Sequence, residues 1–113
     1  MSAQYQVKLH PDVHSDLAAL DKALQRQAAK QLRKLSSHPF AGKPLGHKGG
    51  IDLTEYRSLY FRGKRYRIVY RVDEASGIVW VIAIARRVGF EAYRLAARRA
   101  EEQPNGGNTS SVA

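Results

Sequence analysis

The sequence predicts an α+β fold, in which the second half of the chain builds an antiparallel sheet and helices pack on that sheet. Three observations support this prediction. Apolar residues recur at helical spacing over residues 11–38, β-branched and aromatic residues dominate residues 53–85, and helical spacing returns after residue 89. Helices and strands are therefore segregated along the chain instead of alternating, which disfavours parallel α/β classes. The predicted order of elements is β-α-α-β-β-β-α.

The first 40 residues predict one strand followed by a helical hairpin. Tyr5 to Leu9 alternates apolar and polar side chains, as a half-buried strand does. Pro11 fits the first turn of a helix, and Asp21 fits the N-cap of a second helix. The second helix should end before Pro39, because a residue that precedes proline resists the helical conformation. Its buried stripe is predicted to contain Leu24, Ala28, Leu32 (or Gln31) and Leu35.

The remainder predicts a three-stranded antiparallel meander and a last helix. Residues 40–50 are rich in glycine and are expected to form a connecting loop. Strands are predicted at residues 53–61, 66–73 and 78–85, with turns of hairpin length between them. The third of these strands is apolar on both faces, which is typical of a central strand covered on both sides. Residues 89–102 return to helical spacing.

Length and composition limit the organisation of the chain. Its 113 residues allow one compact domain, which we assign to residues 1–102. Residues 103–113 lack the apolar side chains that a core needs and are expected to be a disordered tail. The chain has no cysteine, which excludes disulfides and thiolate nucleophiles and fits a reducing compartment. Without a signal-peptide pattern or an apolar run near the roughly 20 residues that span a bilayer, we expect a cytoplasmic protein.

The charge of the chain points to a polyanionic partner. Lys and Arg number 19 against 10 Asp and Glu, which gives a formal net charge of +9. From residue 54 onward, ten of the eleven basic residues are arginines. Arginine can hold phosphate through two parallel hydrogen bonds, whereas lysine acts as a point charge. A membrane surface is disfavoured because no helix combines a basic face with large apolar anchors opposite. Nucleic acid or an acidic protein remains as the expected partner.

The strand pattern places some of these arginines on one face. If the helices cover the face that contains Tyr66, Ile68 and Tyr70, then Arg67 and Arg71 lie on the opposite, open face of the sheet. That face is expected to be concave and basic.

No metal or cofactor is predicted. His10 and His14 are four residues apart and could share a helix face, but a third ligand is not evident. A histidine at a junction between a strand and a helix is more often structural or exposed to solvent. The sequence therefore offers no cysteine- or histidine-based metal site.

Three short motifs together resemble the RelE/ParE toxin superfamily, and most closely its RelE branch. They are Tyr66-Arg67-Ile68-Val69-Tyr70, an apolar strand that ends in Ala85-Arg86-Arg87, and Glu91-Ala92-Tyr93 in the last helix. The order of elements extends the resemblance to about residues 4–100. It implies a toxin of a type II toxin–antitoxin system, an endoribonuclease that cuts mRNA in the ribosomal A site. It also implies an acidic cognate antitoxin that silences the toxin in a hetero-oligomer.

The resemblance also implies residue roles. Arg67 matches the arginine that holds the scissile phosphate, Arg87 the arginine that acts near the leaving 5′-oxygen, and Tyr93 the proposed general base for the 2′-hydroxyl. Such toxins carry two lysines on the first meander strand, where this chain offers Arg57, with Arg62 or Lys64 as substitutes. The cations expected to bind RNA are Arg57, Arg62, Lys64, Arg65, Arg71 and Arg86.

An arginine–tyrosine site is chemically coherent for RNA cleavage, because RNA supplies its own nucleophile. A phenol has a reference pKa of about 10, which is too high for an efficient base at neutral pH. Arg57, Arg67 and Arg87 near Tyr93 are therefore expected to lower its pKa. The spacing of Tyr93 also fits plain core packing with Phe90. Two alternative functions stay open, namely a ParE-like inhibitor of DNA gyrase and a non-catalytic relative that binds RNA or antitoxin.

Overall fold

The helices and strands lie close to where the sequence pattern places them. The computed structural model describes residues 4–48, 50–88, 91–102 and 110–111. Its elements are β1 Gln6–Leu9, α1 Pro11–Ala18, α2 Lys22–Ser37, β2 Lys43–Lys48, β3 Ile51–Phe61, β4 Tyr66–Asp73, β5 Ile78–Arg86, α3 Glu91–Glu102 and β6 Ser110–Ser111. The α+β class and the predicted order are confirmed, with β2 and β6 as additions.

Side-chain caps define the ends of the helical hairpin. The Asp21 carboxylate accepts a hydrogen bond from the Leu24 backbone N–H at 2.9 Å, so Asp21 is the N-cap of α2 as predicted. His10 caps α1, because its Nδ1 accepts the backbone N–H of Asp12 at 3.1 Å. The helix α2 ends two residues before Pro39. Its predicted stripe is confirmed, since the buried residues of α2 are Leu24, Ala28, Leu32 and Leu35.

The prediction that residues 40–50 form only a loop is wrong. Lys43–Lys48 forms the edge strand β2, which pairs antiparallel with β3 and shifts register between Pro44 and Gly46. Gly46 has φ of +65°, a conformation that glycine adopts without the steric cost other residues bear. Leu45 is buried and anchors the strand to the core. The glycines of this segment therefore belong to a bulged edge strand. A local sequence pattern alone does not distinguish such a strand from a loop.

In the described residues the strands form one sheet in the order β2-β3-β4-β5-β1-β6. The strand β1 is parallel to β5, while β2 to β5 pair antiparallel in succession. The strand β5 lies inside the sheet and contributes buried side chains to both faces, Val79 and Val81 to one and Ile82 and Ala83 to the other. The prediction of a central strand covered on both sides is confirmed.

Helices cover both faces of the sheet. Val13 of α1 and Leu32 of α2 pack in one core with Ile68 and Tyr70 of β4. The small residues Ala92 and Ala96 of α3 pack with Val69 in a second core. Val69 alternates with Ile68 and Tyr70 along β4, so the second core is on the opposite face. The expectation that the arginine-bearing face is open is therefore wrong, because α3 returns across it.

A buried ion pair closes the edge of β5 where β1 stops. The register of β1 ends at Val81, so the following backbone groups of β5 have no neighbouring strand there. The Asp16 carboxylate accepts the Ile84 N–H at 3.0 Å, and the Arg99 Nη1 donates to the Ile82 carbonyl at 2.9 Å. The Arg99 guanidinium also donates to both Asp16 oxygens, at 2.7 and 2.9 Å. The pair thus joins α1 and α3 around the sheet edge.

The predicted disordered tail lies mostly outside the described residues and stays a prediction, as does the domain boundary at residue 102. Within it, Ser110 and Ser111 pair antiparallel with Leu9 and Lys8 of β1. Among the described residues, no helix is long and apolar enough to cross a membrane.

Candidate active site

The candidate site is built on a row of residues that crosses three strands. Tyr60 of β3 is the register partner of Arg67 of β4, which is in turn the partner of Ala85 of β5. Ala85 contributes only a methyl group, which leaves room above the row for Tyr93 of α3. The Arg67 Cζ lies 4.5 Å from the centroid of the Tyr93 ring and 5.3 Å from that of Tyr60. Arg67 is therefore held by two aromatic rings.

Arg67 is a buried cation without an acidic partner in the part of the chain that the structure describes. Its exposed fraction is 5%. Within the described part of the chain, no carboxylate lies within 4.0 Å of it, and its buried Nε has no hydrogen-bond partner. Buried charges in proteins are normally paired, because leaving water is costly for an ion. Its burial, its unpaired Nε and the lack of a nearby carboxylate among the described residues make Arg67 the candidate anion-binding group of this site.

Arg87 lies at the open end of the same site. Its backbone N–H donates to the Arg65 carbonyl at 2.7 Å, which continues the ladder between β4 and β5 by one step. Its side chain is exposed, and its Cζ lies 5.8 Å from the Tyr60 centroid. The structure therefore brings together the three residues predicted to be catalytic, Arg67, Arg87 and Tyr93, and adds Tyr60 to them. Their catalytic roles stay predictions.

Burial raises the pKa of Tyr93 above its ordinary value, so the expectation of a lowered pKa is wrong. The guanidiniums of Arg67 and Arg87 and the nearby Ser58 side chain each favour the phenolate, while Tyr60 opposes it. These effects are outweighed because α3 presses the ring against the sheet, where Tyr93 is 5% exposed. The neutral phenol is therefore the dominant form at neutral pH.

A basic cleft adjoins the site at the turn between β3 and β4. It has a volume of about 470 Å³, and its basic lining residues are Arg62, Lys64, Arg65, Arg86 and Arg87. Arg62 and Lys64 have φ of 56° and 69°. This left-handed backbone costs non-glycine residues roughly 1–2 kcal/mol each. Four of the six cations predicted to bind RNA thus share one cleft, and Arg87 links it to Arg67.

The other two predicted RNA-binding residues lie elsewhere. The Arg57 Nη1 donates to the Gly42 carbonyl at 2.7 Å, and its Cζ lies 4.9 Å from the Phe40 centroid. Its register partner Tyr70 belongs to the core under α1 and α2, so Arg57 is on the face opposite Arg67. Arg71 shares the face of Arg67 but is four residues further along β4, with its Cζ 5.7 Å from the Trp80 centroid.

Because of this register, β3 turns Ser58 and Tyr60 toward the site. Arg57 therefore does not replace a strand lysine there. Tyr60 was not predicted as a site residue, because the face of the sheet on which it lies depends on the length of the turn at residues 62–65. Counting back from Arg67 across that turn would have placed it.

No metal centre is evident in the described ranges, which contain no group of three or more His, Cys, Asp or Glu residues able to hold an ion. Of the two histidines considered from the sequence, His10 caps α1 through its Nδ1.

Comparisons with known proteins agree with this fold. A family model described as the ParE toxin of the type II toxin–antitoxin system parDE matches residues 7–89. A RelE-like toxin protein of Escherichia coli is 33% identical over 96 residues, which cover 85% of this chain and 97% of that protein.

Solved structures show the same architecture. A variant of the E. coli toxin RelE with two arginines replaced by alanine, in its free state, matches with a TM-score of 0.67 and 22% identity, over 85% of this chain and 97% of that one. The toxin–antitoxin complex RelBE2 of Mycobacterium tuberculosis matches with a TM-score of 0.65 and 26% identity, over 77% of this chain and 95% of the matched chain. With the family model and the curated relative, these matches show that the chain belongs to the RelE/ParE superfamily of type II toxin–antitoxin toxins.

Proposed function

We propose that this toxin is a ribosome-dependent endoribonuclease that cleaves mRNA in the ribosomal A site. The observation that carries the proposal is Arg67, a buried guanidinium between two tyrosine rings with no acidic partner in the described residues. A phosphodiester fits this group, because the edge of a guanidinium matches two phosphate oxygens. The adjoining basic cleft supports the proposal, since it offers further cations to the flanking nucleotides.

The chemistry needs no protein nucleophile. The 2′-oxygen of one nucleotide attacks the adjacent phosphorus, the new 2′-oxygen–phosphorus bond forms, and the bond from phosphorus to the 5′-oxygen breaks. The 2′-hydroxyl loses its proton to a base, and the departing 5′-oxygen takes up a proton from a donor or from water. The products are a 2′,3′-cyclic phosphate and a free 5′-hydroxyl. Arg67 stabilises the negative charge that builds on the phosphate, and Arg87 stabilises that on the 5′-oxygen.

Tyr93 is the candidate base, but its raised pKa limits that contribution. A phenol whose pKa is above 10 is ionised in fewer than about one molecule in a thousand at pH 7. The larger share of the rate enhancement is therefore assigned to the two guanidiniums. They are in place before RNA binds, and fixed charges of this kind need no reorganisation during the reaction.

An acidic antitoxin is the proposed partner when the toxin is silent. The net charge of +9 and the basic cleft favour a partner of opposite charge. Among the similar solved structures, the M. tuberculosis RelBE2 protein and the intact E. coli RelBE protein are both toxin–antitoxin complexes. The free toxin would act in the cytoplasm, where ribosomes translate mRNA.

The test is to express the chain without a partner and map mRNA ends during translation. We expect growth arrest with cuts at A-site codons, and a loss of roughly 10²–10³ in cleavage rate for Arg67→Met. Arg33→Met, which changes an exposed arginine of α2, is the matched control and should cleave normally. Growth arrest with intact mRNA would contradict the proposal.

A second candidate function is inhibition of DNA gyrase. The description of the matching family as a ParE toxin favours it, and so does the absence of a cation from the site face of β3. Inhibition of supercoiling by the purified protein, with mRNA left intact in cells, would identify this function. Harmless expression would instead indicate a non-catalytic relative.

A further inference from the structure

Among the described residues, Tyr60 is the one whose ring lies near both Arg67 and Arg87. Its centroid lies 5.3 Å from the Arg67 Cζ and 5.8 Å from the Arg87 Cζ. Two guanidiniums near one ring repel each other, so something must hold them at a fixed spacing. The electron-rich face of the ring attracts each cation.

An aromatic ring holds cations differently from a carboxylate. A carboxylate would neutralise the arginines and occupy the N–H groups that an incoming phosphate needs. A ring attracts the flat faces of the guanidiniums and leaves their N–H edges available. In keeping with this, no carboxylate lies within 4.0 Å of Arg67 or Arg87 in the described ranges.

Local structure keeps the Tyr60 ring in place. Tyr60 is paired in register with Arg67, and the next residue along β3, Phe61, is buried in the core on the other face. The phenyl ring of Phe61 stacks on Tyr66 at 5.4 Å, which fixes the end of the hairpin where Tyr60 lies. The ring is therefore part of a rigid strand, while the Arg87 side chain that it contacts is exposed and beyond the end of β5.

We propose that Tyr60 is a positioning residue, whose ring fixes the spacing of the Arg67 and Arg87 guanidiniums so that the two act as one clamp on a phosphodiester of RNA. The inference rests on the proposed function for the identity of the anion. The phenol hydroxyl has no part in it, so phenylalanine should replace tyrosine at this position. The clamp explains how a strand that contributes no cation to the site still organises its charge.

The experiment measures the affinity of the full chain for a short RNA that carries a 2′-deoxynucleotide at the cleavage position, so that binding is read without cleavage. We expect Tyr60→Phe to bind within about twofold of the wild type. The ringless variants Tyr60→Leu and Tyr60→Thr should each lose about tenfold, the size of one cation–π contact. Two ringless variants are used so that a folding defect in one, detected by circular dichroism, leaves the other as the test.

Coupling to Arg87 is the decisive readout. If Tyr60 acts through Arg87, the loss caused by Tyr60→Leu should largely disappear in an Arg87→Ala background, whereas a general structural defect would add to it. The clamp would be overturned by any of three results. Tyr60→Phe and Tyr60→Leu could lose the same affinity for RNA, or Tyr60→Leu could bind like the wild type. The affinity losses of Tyr60→Leu and Arg87→Ala could also be additive. Because affinity is measured without cleavage, a wild type that binds with the expected coupling but cuts no mRNA would contradict the proposed function alone.

Discussion

Arg67 and Arg99 are buried to nearly the same extent, with exposed fractions of 5% and 6%, but their surroundings are opposite. Arg99 donates two hydrogen bonds to the Asp16 carboxylate and one to the Ile82 carbonyl. Arg67 has rings of Tyr60 and Tyr93 against it and an Nε with no hydrogen-bond partner in the described residues. Arg67 contacts Tyr93 near the start of α3, and Arg99 lies near the end of the same helix.

This difference separates an arginine whose hydrogen bonds are satisfied within the protein from one that we propose binds a ligand. The hydrogen bonds of Arg99 are directed to groups of the protein itself, so its role is complete in the folded chain. Burying the Arg67 charge costs free energy during folding, and no ion pair in the described residues offsets that cost. Such an arrangement is typical of groups that bind a ligand. The helix α3 links the two, since the Arg99 pair fixes the helix that carries Tyr93 onto the sheet.

The largest effect is expected from removing each arginine in turn and measuring the free energy of unfolding with denaturant. Arg99→Met should lower it by about 3–5 kcal/mol, because the Asp16 carboxylate is left buried without its partner. Arg67→Met should lower it by less than about 1 kcal/mol, since methionine still packs against the two rings and an unpaired buried charge is removed. Both variants are matched in residue type and burial.

A double variant tests the pairing itself. Asp16→Leu combined with Arg99→Met should destabilise by much less than the sum of the single changes, because neither charge is then left alone. If Arg67→Met destabilises as strongly as Arg99→Met, the contrast between the two arginines fails.

A smaller effect is expected from alkaline pH, and the part of it that comes from Tyr93 depends on Arg67. Burial raises the pKa of Tyr93, Tyr70 and Tyr56 above the value of about 10 that they have in the unfolded chain. Above pH 10 the folded state then binds more protons than the unfolded state. Their contribution to stability is therefore complete below pH 10 and is lost as the pH rises through the folded pKa values.

Spectrophotometric titration of the phenols at alkaline pH tests the contact between Arg67 and Tyr93. Arg67 favours the Tyr93 phenolate, so Arg67→Met should raise the pKa of Tyr93 further, and a Tyr93→Phe variant identifies which titration is affected. If the pKa of Tyr93 fell in Arg67→Met, the contact between guanidinium and ring would not be the source of the effect. In cleavage assays, phenolate catalysis predicts a rate that rises about tenfold per pH unit near neutrality.

The smallest effect concerns two arginines that are exposed or partly exposed. They too differ in whether their N–H groups bind the protein itself or are available to a ligand. Arg57 donates to the Gly42 carbonyl, whereas Arg86 lines the basic cleft. Arg86→Ala should reduce the slope of log affinity for single-stranded RNA against log salt by about 0.7, the value for one phosphate contact. Arg57→Ala should leave that slope unchanged and cost about 1 kcal/mol of stability. A slope reduced equally by both changes would mean that Arg57 also contacts RNA.

The sequence predicts most of this fold because its signals are local. The stripe of α2, its cap at Asp21 and the apolar strand β5 each depend on residues within a few positions of one another. The edge strand β2 was missed since its pairing with β3 depends on a glycine bulge and a single inward leucine, Leu45. Of the candidate site, Arg67, Arg87 and Tyr93 were predicted from three short motifs of the sequence, and their roles stay predictions.

What the sequence by itself determined is the kind of elements, their order, the basic charge and the arginine-rich second half. Only the tertiary structure decided which arginines are available to an anion and that burial outweighs the cations around Tyr93. It also showed that Tyr60 belongs to the site. The physical reason is that pairing and burial depend on residues distant in sequence. Asp16 and Arg99 are 83 positions apart, and no local pattern in either helix reveals that one will neutralise the other.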